Sequence, residues 1–235
     1  AGTLDIHQEG LSYLMLANLN HFSFVLGNLL EVDRRTRTLR LAAVEAPHGE
    51  AVIPPRTLPY DTLVLAVGST SNFFGTPGAE RHAVTLDTPD NAEAFRLALL
   101  QAMVEVDQAK ARDPSASLNV VIVGGGATGV ELAAELREAG RVIGAYGLPA
   151  FRPDRDLVIT LIEGGPRLLG ALPERIARAA HERLTELGVR VHTDCRIAEV
   201  TADSVIASDG RRFASDLCMW AAGIQGQPEI GRAHV

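Results

Sequence analysis

This sequence of 235 residues lacks the features that identify several classes of protein. No apolar run approaches the roughly 18–20 residues that span a bilayer, and no basic stretch followed by an apolar one opens the chain. We therefore expect neither a transmembrane helix nor a signal peptide. Lys and Arg number 22 against 29 Asp and Glu, a net charge of −7. This acidity argues against nucleic-acid binding, which depends on cations that neutralise phosphates.

Sulfur and imidazole groups are also sparse. The two cysteines, Cys195 and Cys218, form no C-x-x-C pair, so we expect two reduced thiols in the core. None of the seven histidines stands at a zinc-like spacing from another histidine, a cysteine or an acid. The sequence therefore predicts no metal site.

The first third of the chain is rich in strand formers. We predict a short helix over 10–20 and an antiparallel hairpin over 22–43, with a turn at Asp33-Arg-Arg-Thr36. Residues 44–59 hold four prolines and are predicted to be a loop. Residues 60–69 are predicted to form an apolar strand that runs into a glycine, and 70–87 a linker.

Helices and apolar strands then alternate. Thr88 is predicted to cap a helix whose buried stripe comprises Phe95, Leu99, Met103 and Val106. The later pattern predicts strands over 120–123, 157–162, 189–192 and 217–223, helices over 130–146 and 173–187, and a β-meander over 197–214. Fully apolar strands are typical of parallel sheets covered on both faces. The fold class is therefore α/β, with a Rossmann-like parallel sheet, helices on both faces and a meander.

A G-x-G-x-x-G motif lies between the first of these strands and its helix. Gly124 permits the tight turn, Gly126 lets a pyrophosphate approach the backbone, and Gly129 allows close packing of the helix. Ala127 and Thr128 lie in the same turn and are candidate cofactor-binding residues. The helix that follows directs free N–H groups and its positive dipole end at the phosphates. An acidic protein can thus hold a dianion at this point.

Glu163 ends the next strand and is predicted to accept the hydroxyls of the adenosine ribose. A 2′-phosphate would meet its carboxylate, so NADH should be preferred over NADPH. Glu163 lies 34 residues after Gly129 (163 − 129), against roughly 20 in the usual pattern. The excess fits an insertion over 144–156. The alternatives are another nucleotide, such as FAD or S-adenosylmethionine, and a glycine turn without a ligand.

Two further residues near the motif have two interpretations each. Glu131, expected in the first helical turn, either complements the helix dipole or contacts the nicotinamide and flavin region. Arg167 either contacts the adenosine end of the dinucleotide or is a solvated surface arginine.

Together these residues resemble type II NADH dehydrogenase, the single-subunit NADH:quinone oxidoreductase, within the pyridine nucleotide-disulfide oxidoreductase superfamily of flavoproteins. The resemblance covers roughly residues 20–225. The segments that carry it are Tyr60-Asp-Thr-Leu-Val-Leu-Ala-Val-Gly-Ser69, Val121-Ile-Val-Gly-Gly-Gly-Ala-Thr-Gly-Val-Glu-Leu-Ala-Ala-Glu135, Ala145-Tyr-Gly-Leu148, Ile162-Glu-Gly-Gly-Pro-Arg-Leu-Leu169 and Asp216-Leu-Cys-Met-Trp-Ala-Ala-Gly-Ile224.

The resemblance implies an NAD-binding domain inserted in an incomplete FAD-binding domain. Residues 1–70 would be part of the first FAD segment, 71–215 the NAD(H)-binding domain, and 216–235 the start of the returning FAD segment. Gly68 and Gly223, at the two crossings, would let the backbone approach the cofactors. The family's N-terminal flavin fingerprint, its later flavin and quinone residues and its C-terminal membrane anchor are not found in this sequence. We therefore expect a piece of a longer protein that binds NADH weakly, binds FAD poorly or not at all, and is inactive alone.

For the complete protein the resemblance implies a respiratory-chain enzyme. Hydride would pass from NADH to FAD and electrons on to a quinone, with the cofactors carrying the chemistry and no residue of the protein assigned a catalytic role. The enzyme would be cytoplasmic, peripheral on the inner face of the cell membrane, and a possible homodimer. Alternatives are a ferredoxin or rubredoxin reductase and a non-catalytic NADH-binding redox sensor. A disulfide reductase is disfavoured because no redox cysteine pair is present, and a Rossmann methyltransferase is disfavoured by the two crossing segments.

Overall fold

The computed structural model describes residues 11–144 and 147–226. They form two compact units, one containing residues 71–225 and the other residues 11–70 with Gly226. The predicted helix end at Tyr146, and Ala145 of the family-like segment, lie outside the described residues. Among those that are described, no helix has both the length and the apolar character needed to cross a bilayer.

The smaller unit begins with helix α1 (Tyr13–Asn20) and is otherwise made of strands. The predicted hairpin is confirmed, because strands β1 (Leu29–Asp33) and β2 (Thr38–Leu41) pair antiparallel. The loop predicted over 44–59 was wrong, since it contains β3 (Val44–Glu45), β4 (Ala51–Ile53) and β5 (Arg56–Pro59), and β5 extends the hairpin into a three-stranded sheet. Here proline ends strands rather than preventing them, which an edge position tolerates.

The strand predicted over 60–69 was also wrong. Only β6 (Ser69–Ser71) forms at its end. A strand needs a neighbour for its hydrogen bonds, and the apolar run before Ser69 meets none among the described residues. Its side chains are accordingly exposed, 81% for Val64 and 41% for Val67.

A five-stranded parallel sheet organises the larger unit. Its strands are β7 (Ala83–Val84), β8 (Leu118–Val123), β9 (Leu157–Ile162), β10 (Arg190–His192) and β14 (Leu217–Trp220), in the order β10-β9-β8-β14-β7. The α/β class with a parallel sheet is thus confirmed. Residues 217–225, which the resemblance assigns to the returning segment, belong to this unit because β14 pairs with β8. The assignment of flavin to any segment stays a prediction.

Different layers cover the two faces of this sheet. Long helices α3 (Pro89–Ala109), α4 (Ala127–Gly144) and α6 (Glu174–Glu186) contribute Phe95, Leu132 and Leu184 to the core on one face. Short helix α2 (Ala79–His82) and the meander of β11 (Ile197–Val200), β12 (Ser204–Ala207) and β13 (Arg212–Ala214) cover the other. The remaining elements are α5 (Pro153–Asp156) and β15 (Ile224–Gly226).

Two side chains at the end of α3 hold the segment that connects α4 to β9. Asp107 accepts hydrogen bonds from the backbone N–H groups of Ala150 and Phe151, both at 2.8 Å. The Lys110 ammonium lies 2.9 Å from the Asp156 carboxylate, and both side chains are less than a tenth exposed. The insertion predicted here is therefore anchored to the core rather than free in solvent.

Arg137 of α4 provides a third anchor. It is 2% exposed and donates to the carbonyl oxygens of Pro153, at 2.9 Å, and Gly188, at 3.2 Å. Its Nε has no hydrogen-bond partner within the described residues. Burial, only partly offset by the charge of Asp154, lowers the pKa of this guanidinium from its ordinary value. Arg137 thus ties α4 to α5 and to the turn after α6.

Breaking the buried ion pair should destabilise the larger unit strongly. In Lys110→Met the Asp156 carboxylate stays buried without its ammonium partner, and we expect unfolding free energy to fall by about 3–5 kcal/mol. Urea denaturation followed by the fluorescence of Trp220, the single tryptophan of the chain, measures this. The double variant Lys110→Met/Asp156→Leu should recover much of the loss.

The exposed pair Arg183–Glu186, with N and O atoms 3.1 Å apart, provides the control. Arg183→Ala should change the stability by less than about 1 kcal/mol, because exposed ion pairs are screened by water. A loss in Lys110→Met no larger than that of Arg183→Ala would contradict the structural role of the buried pair.

Candidate dinucleotide-binding site

The carboxyl ends of three parallel strands meet at one edge of the sheet. Val123 of β8 is in register with Ile162 of β9 and with Trp220 of β14. The ladder continues beyond them, because Gly124 N–H donates to the Ile162 carbonyl and Ala221 N–H to the Val123 carbonyl, each at 2.7 Å. In open α/β sheets ligands bind at this edge, so the residues that follow the strands form the candidate site.

The glycine turn is packed backbone against backbone. Gly124 has φ +113°, and a Cβ added there would lie 2.4 Å from the Ala221 carbonyl carbon. A Cβ on Gly129 would lie 1.9 Å from the Gly124 carbonyl oxygen. Neither position has room for a side chain, so these two glycines are required by the turn itself, whatever it binds.

Gly126 differs, because a Cβ on it would meet nothing within 4 Å. It is exposed, as are Ala127 and Thr128 after it. Helix α4 begins at Ala127, three residues before the predicted start, because Gly126 already accepts the first helical hydrogen bond from Val130. The first N–H groups of a helix have no acceptor within it. The turn thus presents open space beside free donors, the arrangement that suits a phosphate.

Glu163 follows β9 as expected and lies beside the turn. Its two carboxylate oxygens accept the N–H groups of Gly125 and Gly165, each at 2.6 Å. A Cβ on Gly125 would come within 2.8 Å of the Glu163 Cβ. The carboxylate therefore joins the glycine turn to its own loop, and it is half-buried at the position where the ribose is predicted.

The structure separates the other predicted residues by environment. Glu131 is exposed and lies in the second turn of α4 rather than the first, since the helix starts early. Arg167 donates to the carbonyl oxygens of Leu172 and Gly170 at 2.8 Å, so its guanidinium holds its own loop. The contacts predicted for both residues with the dinucleotide stay predictions.

The two crossing glycines also differ. A Cβ on Gly223 would lie 2.5 Å from the ring of Phe74, so backbone and ring are in close contact there. Gly68 belongs to the smaller unit and has φ +71°, and a Cβ added to it would meet nothing within 4 Å. Their predicted approach to cofactors stays a prediction.

A cleft of about 570 Å³ lies along this edge of the larger unit. Its wall is mostly apolar, and its two charged residues are Glu163 and Arg196. The other lining residues are Phe74, Thr76, Val123, Gly124, Ile162, Gly164, Gly165, Cys195, Ile197, Trp220 and Ala222. An apolar cleft with few polar groups, beside a glycine turn that has open space for a phosphate, suits a nucleotide.

Trp220 is fixed at the end of the cleft by the segment before α2. Its Nε1–H donates to the Asn72 carbonyl at 2.8 Å, and its ring lies 5.7 Å from that of Phe73. Phe74 is 65% exposed with φ +52°, a conformation stabilised by the hydrogen bond from its N–H to the Asn72 side chain. Residues predicted to be a linker thus line the site.

The cysteines are buried and unpaired, as predicted. Burial raises the pKa of the Cys218 thiol to about 12 and also raises that of Cys195. A protonated, buried thiol is a poor nucleophile. Within residues 11–144 and 147–226 no group of three or more His, Cys, Asp or Glu side chains is placed to hold a metal ion.

Sequence reasoning missed Phe74 and Arg196. Phe74 stands in a segment whose sequence has no helix or strand period, next to Gly75. Arg196 follows β10. The one feature of the sequence that could have identified it is this position after a parallel strand, because such residues reach the carboxyl edge of the sheet, where ligands bind.

Comparison with known proteins agrees with this geometry. A family model described as pyridine nucleotide-disulphide oxidoreductase matches residues 8–234. The chain is 35% identical over 236 aligned residues to the type II NADH:quinone oxidoreductase of Haemophilus influenzae, an alignment covering 95% of this chain and 53% of that protein. The chain thus spans about half the length of this relative, and the sequence resemblance to its family is confirmed.

Solved structures share the fold. NDH2 from Plasmodium falciparum in complex with NADH superposes with TM-score 0.68 at 23% identity, covering 88% of this chain and 42% of that one. A ferredoxin reductase from Rhodopseudomonas palustris superposes with TM-score 0.66 at 23% identity, covering 93% and 46%. At this identity the likeness shows the fold alone.

Two glycines of the turn should respond differently to alanine. Gly126→Ala has space for its methyl group, so stability should stay within about 1 kcal/mol of wild type. The same methyl group would occupy the path of a pyrophosphate, and NADH affinity should fall about tenfold or more. Urea denaturation and calorimetric titration measure the two effects.

Gly129→Ala serves as the contrasting variant. Its Cβ would overlap the Gly124 carbonyl oxygen, so we expect a loss of about 3 kcal/mol in unfolding free energy. Unchanged NADH binding in a well-folded Gly126→Ala protein would show that no phosphate passes over this glycine.

Proposed function

Because the chain belongs to the pyridine nucleotide-disulphide oxidoreductase family, we propose that its larger unit binds NADH along the cleft beside the glycine turn. The observation that carries the proposal is the open face of Gly126 at the start of α4, next to the carboxylate of Glu163. The pyrophosphate lies over Gly126 and the N–H groups of the first helical turn. The adenosine ribose lies at Glu163, and the nicotinamide end extends towards Trp220 and Phe74.

The residues of the cleft bind and position rather than react. The N–H groups at the start of α4 neutralise the phosphates, Glu163 accepts ribose hydroxyls on lone pairs that remain beyond Gly125 and Gly165, and the apolar wall excludes water from the nicotinamide. A flavin, when bound, supplies the acceptor for the hydride of NADH and passes electrons onward. Gly223, which follows β14, is the residue of the larger unit that we assign to its neighbourhood.

For the complete protein we propose the activity of a type II NADH dehydrogenase with a quinone as electron acceptor. Support comes from the 35% identity to the relative that bears this name. A quinone dissolves in the bilayer, so we also propose that the complete protein contacts the inner face of the cell membrane.

Nucleotide titration of the chain tests the binding proposal. NADH should bind more tightly than NADPH, because the extra phosphate approaches the Glu163 carboxylate. In Glu163→Ala this preference should shrink by about tenfold, one lost charge contact corresponding to about 1.4 kcal/mol. Calorimetry measures both affinities. The matched control is Glu131→Ala, which removes the same charge from an exposed position on the adjacent helix and should leave the preference unchanged.

Failure of wild-type protein to bind NADH, or an equal loss of preference in Glu131→Ala and Glu163→Ala, would refute the placement of the ribose.

Electron transfer is tested on the complete protein reconstituted with FAD. Mixing with NADH should bleach the flavin absorbance, and a soluble quinone should restore it. Bleaching without reoxidation by quinone, but with reoxidation by a ferredoxin or rubredoxin, would replace the quinone proposal by the carrier-protein alternative. Binding of NADH with no bleaching would favour a redox sensor.

A further inference from the structure

Arg196 is the cation that the structure brings to the predicted ribose position. Its side chain lies across Gly164, since a Cβ added to that glycine would be 3.3 Å from the Arg196 Cγ. Gly164 directly follows Glu163, and Arg196 lines the cleft together with both residues. Arg196 and Glu163 thus line the same cleft, on either side of Gly164.

The guanidinium of Arg196 is available to a ligand. The residue is exposed, and in the described part of the chain it forms no ion pair and no side-chain hydrogen bond. Its backbone, in contrast, is fixed, because the Arg196 carbonyl accepts both the N–H and the hydroxyl of Ser208. A fixed backbone with a guanidinium that has no other partner among the described residues is suited to binding an anion.

The acids around Arg196 are largely committed elsewhere. Asp209 and Arg196 line an adjoining pocket, but the Asp209 carboxylate pairs with Arg211 at 2.7 Å, and that pairing lowers the pKa of its carboxyl. Glu163 accepts two backbone N–H groups, which offset part of its charge. Asp194 also lines this surface and is not within ion-pair distance of Arg196. The net charge around Arg196 is therefore less negative than the carboxylate of Glu163 alone suggests.

We propose that Arg196 binds the 2′-phosphate of NADPH, so that the site accepts both nucleotides while preferring NADH. A guanidinium matches a phosphate with two parallel hydrogen bonds, and an arginine near the acidic residue is the general means by which a Rossmann-type site takes the 2′-phosphate. Glu163 favours the free ribose, and Arg196 limits that preference. The inference rests on the proposed binding of NADH in this cleft.

Trp220 provides a direct readout, since it is the only tryptophan and lines the cleft. Energy transfer from Trp220 to the reduced nicotinamide is measured during titration with NADH and, separately, with NADPH. In Arg196→Ala the affinity for NADPH should fall about tenfold or more, and that for NADH should change by less than about twofold. Added salt should lower the NADPH affinity more in wild type than in Arg196→Ala, because it screens the attraction of the guanidinium, and it should affect the NADH affinity of the two proteins equally.

Arg212→Ala is the matched control. Arg212 lies on β13 of the same meander and pairs with Asp203 at 3.0 Å, so its removal costs the chain one positive charge without touching the cleft. It should leave both affinities unchanged, and Arg196→Lys should retain part of the NADPH affinity.

Three results would overturn the inference while leaving NADH binding in place. NADPH does not bind to wild type, or Arg196→Ala weakens both nucleotides equally, or it weakens neither. An equal loss would assign Arg196 to the adenine or the ribose, which the two nucleotides share. Absence of NADH binding to wild type is a distinct outcome, because it refutes the proposed function as well.

Discussion

Contact between backbones at the end of β8 is the constraint on which the larger unit depends. The peptide of Ala221 occupies the space that a Cβ at position 124 would need. In the same way, the carbonyl oxygen of Gly124 occupies the space that a Cβ at position 129 would need. These contacts let β8, β14 and α4 converge on one point. The placement of Glu163 depends on that convergence because its carboxylate accepts the N–H group of Gly125, and the cleft depends on it because Gly124 forms part of its lining.

Glu163 shows how one carboxylate can serve the fold and the ligand together. Its two oxygens already accept N–H groups from the glycine turn and from its own loop, so the group that we propose selects the ribose also holds the turn on which we propose that the phosphates lie. A carboxylate oxygen has lone pairs for more than one donor, which is why the two roles are compatible. Effects of changing Glu163 therefore combine a contact with the nucleotide and the shape of the turn.

How far the sequence predicts this structure depends on where the hydrogen-bond partners lie. Apart from Asn119 and Thr160, β8 and β9 are apolar, and both are enclosed by their own unit; the prediction for β9 over 157–162 coincides with the strand. The run over 63–67 is just as apolar, yet it meets no partner strand among the described residues, and pattern alone could not show that. The site followed the same rule. The glycines and Glu163 could be predicted because they belong to a motif that is local in the sequence. Arg196 and Phe74 could not, because only the tertiary fold brings them to the cleft.

The anchoring of the segment before β9 has a consequence for how this chain can change in evolution. The segment from Ala150 onward is held by hydrogen bonds with Asp107 and Arg137 and by the ion pair with Lys110. Gly147 and Pro149, before it, are exposed. An insertion at Gly147 would thus be absorbed before it reaches Leu148, which packs against the core, and the anchors beyond it, and β9 would keep its register with β8. The length of the chain at Gly147 can therefore change in evolution while the proposed nucleotide cleft, at the opposite end of β9, stays under separate selection.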